Sequence, residues 1–242
     1  TTVSEDGKRR LAEAKEGAEP LPLKVIKENL PEQDFTADIR IPYCVLSEHM
    51  TLSYLEKLAD CLRREELNSY DGVVITHGSD TLAFTAAFLG EIMKGCPVPV
   101  FLLAAQRPME DPGSNALDNT RATLELLRAS KEMGGIPGVY VVYRNSDGVV
   151  YLHRAAELVQ CKPGSDDFFS EGMKPLVCTE DGYVWPEHTG ETGKDEAFRV
   201  PELKLKQDVL ILHPYVGIRY DCISLSGVRA VLHTLYHSST AS

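Results

Sequence analysis

A short polar segment, THGSDT at residues 76–81, stands where the apolar run GVVI gives way to LAFTAAFLG. It combines hydroxyls, an imidazole and a carboxylate, the groups that bind charged small molecules or carry out acyl transfer. Ser79 and Asp80 form its central pair. The simpler interpretation is that one of the two caps the helix that follows, and for an isolated Ser-Asp pair this interpretation is favoured. The choice between capping and chemistry depends on which polar segments lie nearby.

Two other polar segments follow apolar runs in the same way. AAQRP at residues 104–108 follows PVPVFLL, and LSEHM at residues 46–50 follows a shorter apolar run that predicts a strand ending near Leu46. In open α/β sheets, ligands bind beyond the carboxyl ends of the strands. Three polar segments at three adjacent strand ends therefore predict a ligand pocket.

The segments between these clusters predict the elements that position them. Apolar runs bounded by turn residues indicate buried strands at residues 72–76, 97–105 and 136–145. Helical spacing of apolar residues predicts helices over 82–95 and 115–130. Strands that alternate with helices predict an α/β fold, with an open, mostly parallel sheet and helices on both faces.

Beyond residue 148 the pattern loosens, and residues 161–200 are rich in loop-forming residues. A new apolar run, DVLILHPY at residues 208–215, then predicts a further strand. We expect one α/β domain over residues 1–200, including a flexible N-terminal loop and a linker. Residues 201–242 are expected to be the partial start of a second, small α/β domain.

Composition excludes several classes of partner. The chain has 242 residues, with 25 Lys and Arg against 36 Asp and Glu, which gives a formal charge of -11. Such a surface repels nucleic acid, no apolar run is long enough to cross a bilayer, and the first residues carry no signal-peptide core. The six cysteines include no CxxC pair, which favours reduced thiols. These features predict a cytoplasmic protein with neither nucleic acid nor membrane as a partner.

The polar segments resemble those of one known family. YDGVVITHGSDTLAFTAAFL and AAQRPMEDPGSNALDNTRAT resemble two blocks of the bacterial-type L-asparaginase/glutaminase family, which there read H-G-T-D-T and G-A-x-R-P. VLSEHMT resembles the family's S-E/Q-x-M segment, and DVLILHPYVG resembles its strand entering the C-terminal domain. The resemblance implies an enzyme that hydrolyses asparagine or glutamine to the acid and ammonia through a hydroxyl nucleophile and an acyl-enzyme. It implies a homo-oligomer, and no metal or organic cofactor.

The resemblance assigns roles residue by residue. Ser79 matches the threonine of the family's T-D pair, a hydroxyl that lies near the amide carbon or assists the water. Asp80 matches the aspartate that holds the α-amino group of the substrate. Ser47 and Glu48 match the pair that grips the carboxylate and amine, and Ala105 matches the position whose backbone contacts the substrate amide. Ser79 and Asp80 are thus the expected catalytic residues, and all five are expected to bind substrate.

The sequence departs from the family pattern at two catalytic positions. The principal nucleophile of the family lies in a T-G-G-T-I stretch, and the first residues here, TTVSEDG, resemble the flexible segment that follows it. Either that strand lies outside this sequence or the protein lacks the nucleophile, and we expect the former. At the position of the family's lysine stands Gln160, which cannot act as a base, and Lys162 lies two residues further along.

We expect the remaining polar residues to be structural. His77 is expected to form hydrogen bonds beneath the turn, and Arg107 to anchor its loop by a salt bridge. Asn119, together with its neighbour Asp118, is expected to cap the helix that follows, and the acidic pair at residues 166–167 to decorate a solvated loop.

The predicted function is hydrolysis of L-asparagine, with L-glutamine as a second substrate, to the acid and ammonia. Two alternatives remain. One is an amino-acid-binding domain that keeps Ser47, Glu48 and Asp80 but has lost catalysis. The other is the ammonia-releasing subunit of a tRNA-dependent amidotransferase.

Overall fold

The computed structural model of the chain describes residues 2–3, 9–10, 21–30, 35–162, 164–186, 198–236 and 238–240. Two compact units are present, Thr1–Glu202 and Leu203–Ser242. Each is described by itself. Among the described residues, no helix has the length and apolar character that crossing a membrane requires.

The helices are α1 (Leu21–Asn29), α2 (Leu52–Arg63), α3 (Leu82–Ile92) and α4 (Ala116–Glu132). The strands are β1 (Thr2–Val3), β2 (Arg9–Arg10), β3 (Val73–Thr76), β4 (Pro99–Leu103), β5 (Gly138–Arg144), β6 (Val150–Arg154), β7 (Leu158–Val159), β8 (Phe169–Ser170), β9 (Lys174–Pro175), β10 (Val177–Thr179), β11 (Gly182–Val184), β12 (Val209–Leu212) and β13 (Ala230–His233). Short 3₁₀ turns span Ser47–His49, Leu67–Ser69, Ala155–Glu157 and Tyr220–Cys222.

A five-stranded mixed sheet with the order β3-β4-β5-β6-β9 forms the centre of the first unit. The first three strands are parallel, with Thr76 opposite Leu103 and Leu102 opposite Val141. β6 returns antiparallel to β5, and β9 pairs antiparallel with β6. The predicted α/β fold class is confirmed, and the parallel strands place the carboxyl ends of β3, β4 and β5 at one edge.

Helices cover the central strands β4 and β5, which are almost entirely buried on both faces. Phe101, Tyr140 and Val142 pack in one cluster with Ala122 and Leu126 of α4. The alternate residues of β5 are also buried, and side chains alternate between the two faces of a strand. Helix α3 packs beside β5 and the 3₁₀ turn Ala155–Glu157, which gives those residues their cover.

Helix α3 approaches the turn Ala155–Glu157 very closely at a glycine. A Cβ built on Gly90 would lie 3.0 Å from the Cβ and the backbone nitrogen of Ala156. The missing side chain is what lets the helix rest on this turn.

The predicted strand ending near Leu46 is not formed. Residues 35–46 are without strand pairing and lead into the 3₁₀ turn Ser47–His49. Pro42 has no N–H to offer a ladder, and both Ile39 and Ile41 keep large exposed fractions. The apolar residues of this segment therefore do not mark a buried strand.

In the second unit, β12 and β13 form a parallel pair, with Val209 opposite Ala230 and Leu212 opposite His233. The strand predicted from DVLILHPY is confirmed as β12. The side chains of both strands are largely exposed in this unit.

Candidate functional site

Two of the predicted site residues meet across a long stretch of sequence. The Ser47 hydroxyl donates a hydrogen bond of 2.8 Å to the carboxylate Oδ2 of Asp80. Ser47 is buried, whereas Asp80 is exposed. The Thr81 hydroxyl donates to the carbonyl oxygen of Ser47 at 2.9 Å, so a second bond holds the same two loops together.

This approach requires a glycine in the loop. A Cβ built on Gly78 would lie 2.6 Å from the Cβ of Ser47, and closer still to its Oγ. No real side chain tolerates such a distance, because carbon atoms in contact stay 3.4–4 Å apart. Gly78 is therefore what allows the 3₁₀ turn of Ser47 to dock on the THGSDT loop.

The carboxyl ends of the three parallel strands surround a cavity of about 280 Å³. Ser79 and Asp80 line it after β3, Gln106 after β4, and Tyr143 near the end of β5. Further lining residues come from the segment after β7, among them Gln160, Lys162 and Asp166. The volume lies just below the range of roughly 300–1,000 Å³ common for small-molecule sites, so the cavity suits a small ligand.

Helix capping does not explain the Ser-Asp pair. The N-cap residue of α3 is Thr81, and it makes no side-chain cap hydrogen bond. The Ser79 residue accepts from the N–H of Leu82 only through its backbone carbonyl, at 3.3 Å. The Asp80 carboxylate bonds to Ser47 instead, and Ser79 lines the cavity.

His77 is structural, as predicted. Its Nδ1 lies 2.7 Å from the carbonyl oxygen of Gly78, which can only accept, so Nδ1 carries the proton. Its Nε2 then accepts from the Thr85 hydroxyl at 2.9 Å. Burial lowers the pKa of His77, against a smaller rise from the Gly78 bond. Both nitrogens are occupied, and His77 does not line the cavity.

Two buried asparagines hold the ends of β4 and β5 together beside the cavity. Asn119 donates to the carbonyl oxygen of Ala104 at 3.0 Å and accepts from the N–H of Arg144 at 2.7 Å. Asn115 accepts from the N–H of Gln106 at 3.1 Å and donates to the carbonyl oxygen of Arg144 at 2.8 Å. Both side chains thus join the end of β4 to the end of β5 and set the width of the cavity there.

These bonds correct the expectation that Asn119 and Asp118 cap a helix. Helix α4 begins at Ala116, so both residues lie inside its first turn. Asp118 instead forms an ion pair of 2.7 Å with Arg144. The polar residues of this turn serve the sheet edge rather than the helix end.

The acidic pair is also more than a solvated decoration. Asp166 lines the cavity. Asp167 accepts from both the backbone N–H and the hydroxyl of Ser146, at 2.6 and 2.7 Å. Asp167 therefore joins the segment after β7 to the turn after β5. The predicted salt bridge of Arg107 is present, to Asp111 at 3.7 Å.

The segment after β7 supplies a tie to the THGSDT loop. The Gln160 side chain donates to the backbone carbonyl of Asp80 at 2.6 Å. Lys162 lines the same cavity. Between them, Cys161 has its pKa raised by burial and then by Asp166, Asp167 and Asp80, so its thiol stays protonated and is a poor nucleophile.

Three of the five predicted substrate-binding residues, Ser47, Glu48 and Ala105, do not line this cavity. Glu48 is exposed in the 3₁₀ turn, and Ala105 is half-buried in the loop after β4, next to Gln106. Neither lines the cavity that Ser79 and Asp80 share. Among the described residues, no group of three or more His, Cys, Asp or Glu side chains has the arrangement of a metal site.

A larger hollow of about 520 Å³ lies elsewhere, between α2 and residues 40–42. Two of its charged side chains, Arg40 and Glu65, pair with each other at 2.8 Å. It is also wide open and is not lined by the residues at the strand ends. The smaller cavity is the candidate site.

Residues 10–189 match the family model described as "Asparaginase, N-terminal". The chain belongs to the asparaginase family. It is 32% identical over 139 residues to the L-asparaginase of Thermococcus kodakarensis, an alignment that covers 57% of this chain and 40% of that relative. It is 28% identical over 214 residues to a glutamyl-tRNA(Gln) amidotransferase component from Metallosphaera sedula, covering 84% and 47%.

The fold of this asparaginase-family chain also matches solved structures. The probable cytoplasmic L-asparaginase of Campylobacter jejuni superposes with a TM-score of 0.70 at 22% identity, covering 90% of this chain and 70% of that one. This similarity concerns the fold alone. The chain spans less than half the length of the two curated relatives named above.

Sequence inspection of this asparaginase-family chain missed Tyr143, Gln106 and Asp166 as cavity residues. Gln106 lies within the AAQRP segment and Asp166 belongs to the acidic pair at residues 166–167, so the position of each residue in the sequence gave a signal. Tyr143 lies in the apolar run VYVVY, where nothing separates a core tyrosine from one that faces a cavity.

Proposed function

We propose that this protein hydrolyses the side-chain amide of L-asparagine, or of L-glutamine, to the acid and ammonia. The observation that carries the proposal is the Ser47–Asp80 hydrogen bond, which holds the Asp80 carboxylate at the cavity that Ser79 lines. A substrate ammonium needs such an anionic partner. In this role Asp80 binds the α-amino group, and the buried Ser47 orients Asp80.

The proposed chemistry is double displacement. A hydroxyl oxygen attacks the side-chain carbonyl carbon, the carbon–nitrogen bond breaks, and ammonia leaves with the hydroxyl proton. Water then attacks the resulting ester, releases the acid and restores the hydroxyl. Ser79 is the cavity hydroxyl that corresponds to the family's T-D pair, and it either attacks the amide carbon or assists the water.

Two observations favour other candidates. Relatives such as the Metallosphaera sedula protein are named as amidotransferase components, which supports a role in releasing ammonia for a partner enzyme. Gln160 is neutral and donates to the Asp80 backbone, so it supplies no base near Ser79. This second observation supports a domain that binds the amino acid without turnover.

The deciding experiment combines ammonia release from L-asparagine and L-glutamine with calorimetric titration of L-aspartate, on the intact protein. Asp80→Asn keeps the shape but removes the charge. We expect it to weaken L-aspartate binding by roughly 10- to 100-fold, because a charge-assisted hydrogen bond contributes about 1.5–3 kcal/mol. Asp60→Asn is the matched control, since Asp60 pairs with Arg63 on helix α2 and lies outside the candidate cavity.

Each outcome separates the candidates. Binding and turnover that both depend on Asp80 support the amidohydrolase. Binding without ammonia release supports the binding domain, and turnover that appears only with an amidating partner enzyme supports the amidotransferase role. If L-aspartate does not bind, the proposal is wrong. A cytoplasmic location and a homo-oligomeric state remain predictions, and sedimentation velocity measures the second.

A further inference from the structure

Tyr143 combines complete burial with a hydroxyl that has no hydrogen-bond partner in the part of the chain that the structure describes. The side chain has 0% exposure. Among the described residues, its hydroxyl oxygen has no hydrogen-bond partner. The nearby Asn115 side chain lowers the pKa of Tyr143, but no hydrogen bond of acceptable length and angle joins it to the hydroxyl; its own bonds go to the N–H of Gln106 and the carbonyl oxygen of Arg144. A phenylalanine would fill the same space without burying a polar group.

The surroundings of Tyr143 hold it in a fixed position. Its ring meets that of Phe168 edge to face, with centroids 4.8 Å apart. The Asn145 side chain holds Phe168 by two hydrogen bonds to the Phe168 backbone, of 3.0 and 3.1 Å. Both rings line the cavity with Ser79 and Asp80. Because packing fixes the ring, the Tyr143 hydroxyl would lose little freedom when a ligand accepts its proton.

The charge state of Tyr143 makes it a donor. Burial raises its pKa to about 12, against a smaller lowering by the Asn115 side chain. The hydroxyl is therefore protonated at any physiological pH, and its natural partner is an oxygen atom. The other amide donors of the cavity are already engaged, Gln160 with the Asp80 carbonyl and Gln106 with the Gly113 carbonyl.

We propose that Tyr143 is a ligand-binding residue of the cavity, whose buried and unpartnered hydroxyl donates a hydrogen bond to an oxygen atom of the bound amino acid. This inference rests on the proposed function, because it takes a small amino acid as the ligand. It adds the third parallel strand, β5, to a site that the sequence assigned to the LSEHM segment and to the loops after β3 and β4.

The test is a pair of tyrosine-to-phenylalanine variants on the same strand. Tyr143→Phe removes the unpartnered hydroxyl. Tyr140→Phe is the control, because Tyr140 is equally buried but faces the α4 cluster and donates to the Pro137 carbonyl at 2.9 Å. Both variants are measured in the intact protein by thermal unfolding without ligand and by calorimetric titration with L-aspartate.

We expect the two variants to behave in opposite ways. Tyr143→Phe should keep or raise the melting temperature of the free protein and weaken L-aspartate binding roughly three- to tenfold, as expected for one hydrogen bond. Tyr140→Phe should lower the melting temperature and leave the binding constant unchanged.

Other results overturn the inference. If Tyr143→Phe lowers the melting temperature or fails to fold, the hydroxyl is a structural group. If the parent and Tyr143→Phe bind L-aspartate equally, the hydroxyl does not contact the ligand, and the proposed function survives without it. If the parent binds no L-aspartate and releases no ammonia from L-asparagine, both proposals are wrong.

Discussion

Gly78→Ala tests the docking of the Ser47 turn on the THGSDT loop. The added Cβ would lie 2.6 Å from the Ser47 Cβ, about 1 Å closer than ordinary carbon contacts allow. The Ser47 Cβ is fixed to the backbone, so no rotamer change relieves the overlap. Overpacking of this kind costs about 1–3 kcal/mol. A cost of about 2 kcal/mol lies in the middle of that range. At about 2–4 °C per kcal/mol for a chain of this size, it lowers the melting temperature by about 4–8 °C.

The assay is thermal unfolding followed by near-ultraviolet circular dichroism, together with L-aspartate titration. Gly113→Ala is the control, because its nearest neighbours are the flexible ends of Arg107 and Asp111, at 3.1 and 3.3 Å. We expect that control to change stability by less than about 0.5 kcal/mol.

A compensating substitution makes the test specific. Ser47→Gly removes both atoms that the new methyl group would meet, so in the Gly78→Ala background it should restore much of the lost stability. It should not restore L-aspartate binding, because the bond to Asp80 is gone. Strictly additive losses in the double variant, or a Gly78→Ala protein as stable as the parent, would refute the steric reasoning.

Three further predictions follow from the described contacts. Asn119→Ala leaves the carbonyl of Ala104 and the N–H of Arg144 buried without partners, so urea unfolding should show a loss of about 2–5 kcal/mol; a loss below about 1 kcal/mol contradicts the bridging role. Burial lowers the pKa of His153 to about 4, below the value of about 6.5 in the unfolded chain. The buried neutral His153 therefore stabilises the folded state fully above about pH 6.5, and about 3 kcal/mol of stability is lost as the pH falls toward 4. His153→Leu should flatten the pH dependence of the free energy of unfolding. An unchanged pH profile in that variant counts against burial of His153 as the cause. Gln160→Lys introduces a base while keeping a donor for the Asp80 carbonyl, so ammonia release at pH 8 should rise at least roughly tenfold, and no rise means that Ser79 activation is not limiting.

The part of the fold that follows from the sequence is the part that periodicity encodes. The runs at β3, β4 and β5 are apolar on both faces, which is what a covered parallel sheet requires. Helices α3 and α4 show the corresponding helical spacing. The segment before Ser47 was wrongly predicted as a strand because its apolar residues resemble one. Pro42 cannot donate to a strand ladder, and Ile41 remains exposed.

The candidate site was predictable where residue types are unusual for their position. Ser79 and Asp80 stand out at a strand end, and the Ser47–Asp80 bond brings together residues 33 positions apart. Asn119 was misread as a cap because a sequence shows a polar residue near a helix start but not the carbonyl it reaches. Tyr143 gave no signal at all, since its hydroxyl differs from that of Tyr140 only in which face of the strand it occupies.

The shape of the cavity depends on the contact of Gly90 with Ala156, although neither residue lines the cavity. Helix α3 starts just after Asp80, and the turn at Ala156 leads within four residues to Gln160, so a larger residue at position 90 separates two walls of the cavity without touching it. A random-mutagenesis screen for loss of ligand binding would then recover substitutions at position 90. Such substitutions would suggest a binding site near Gly90, away from the cavity itself.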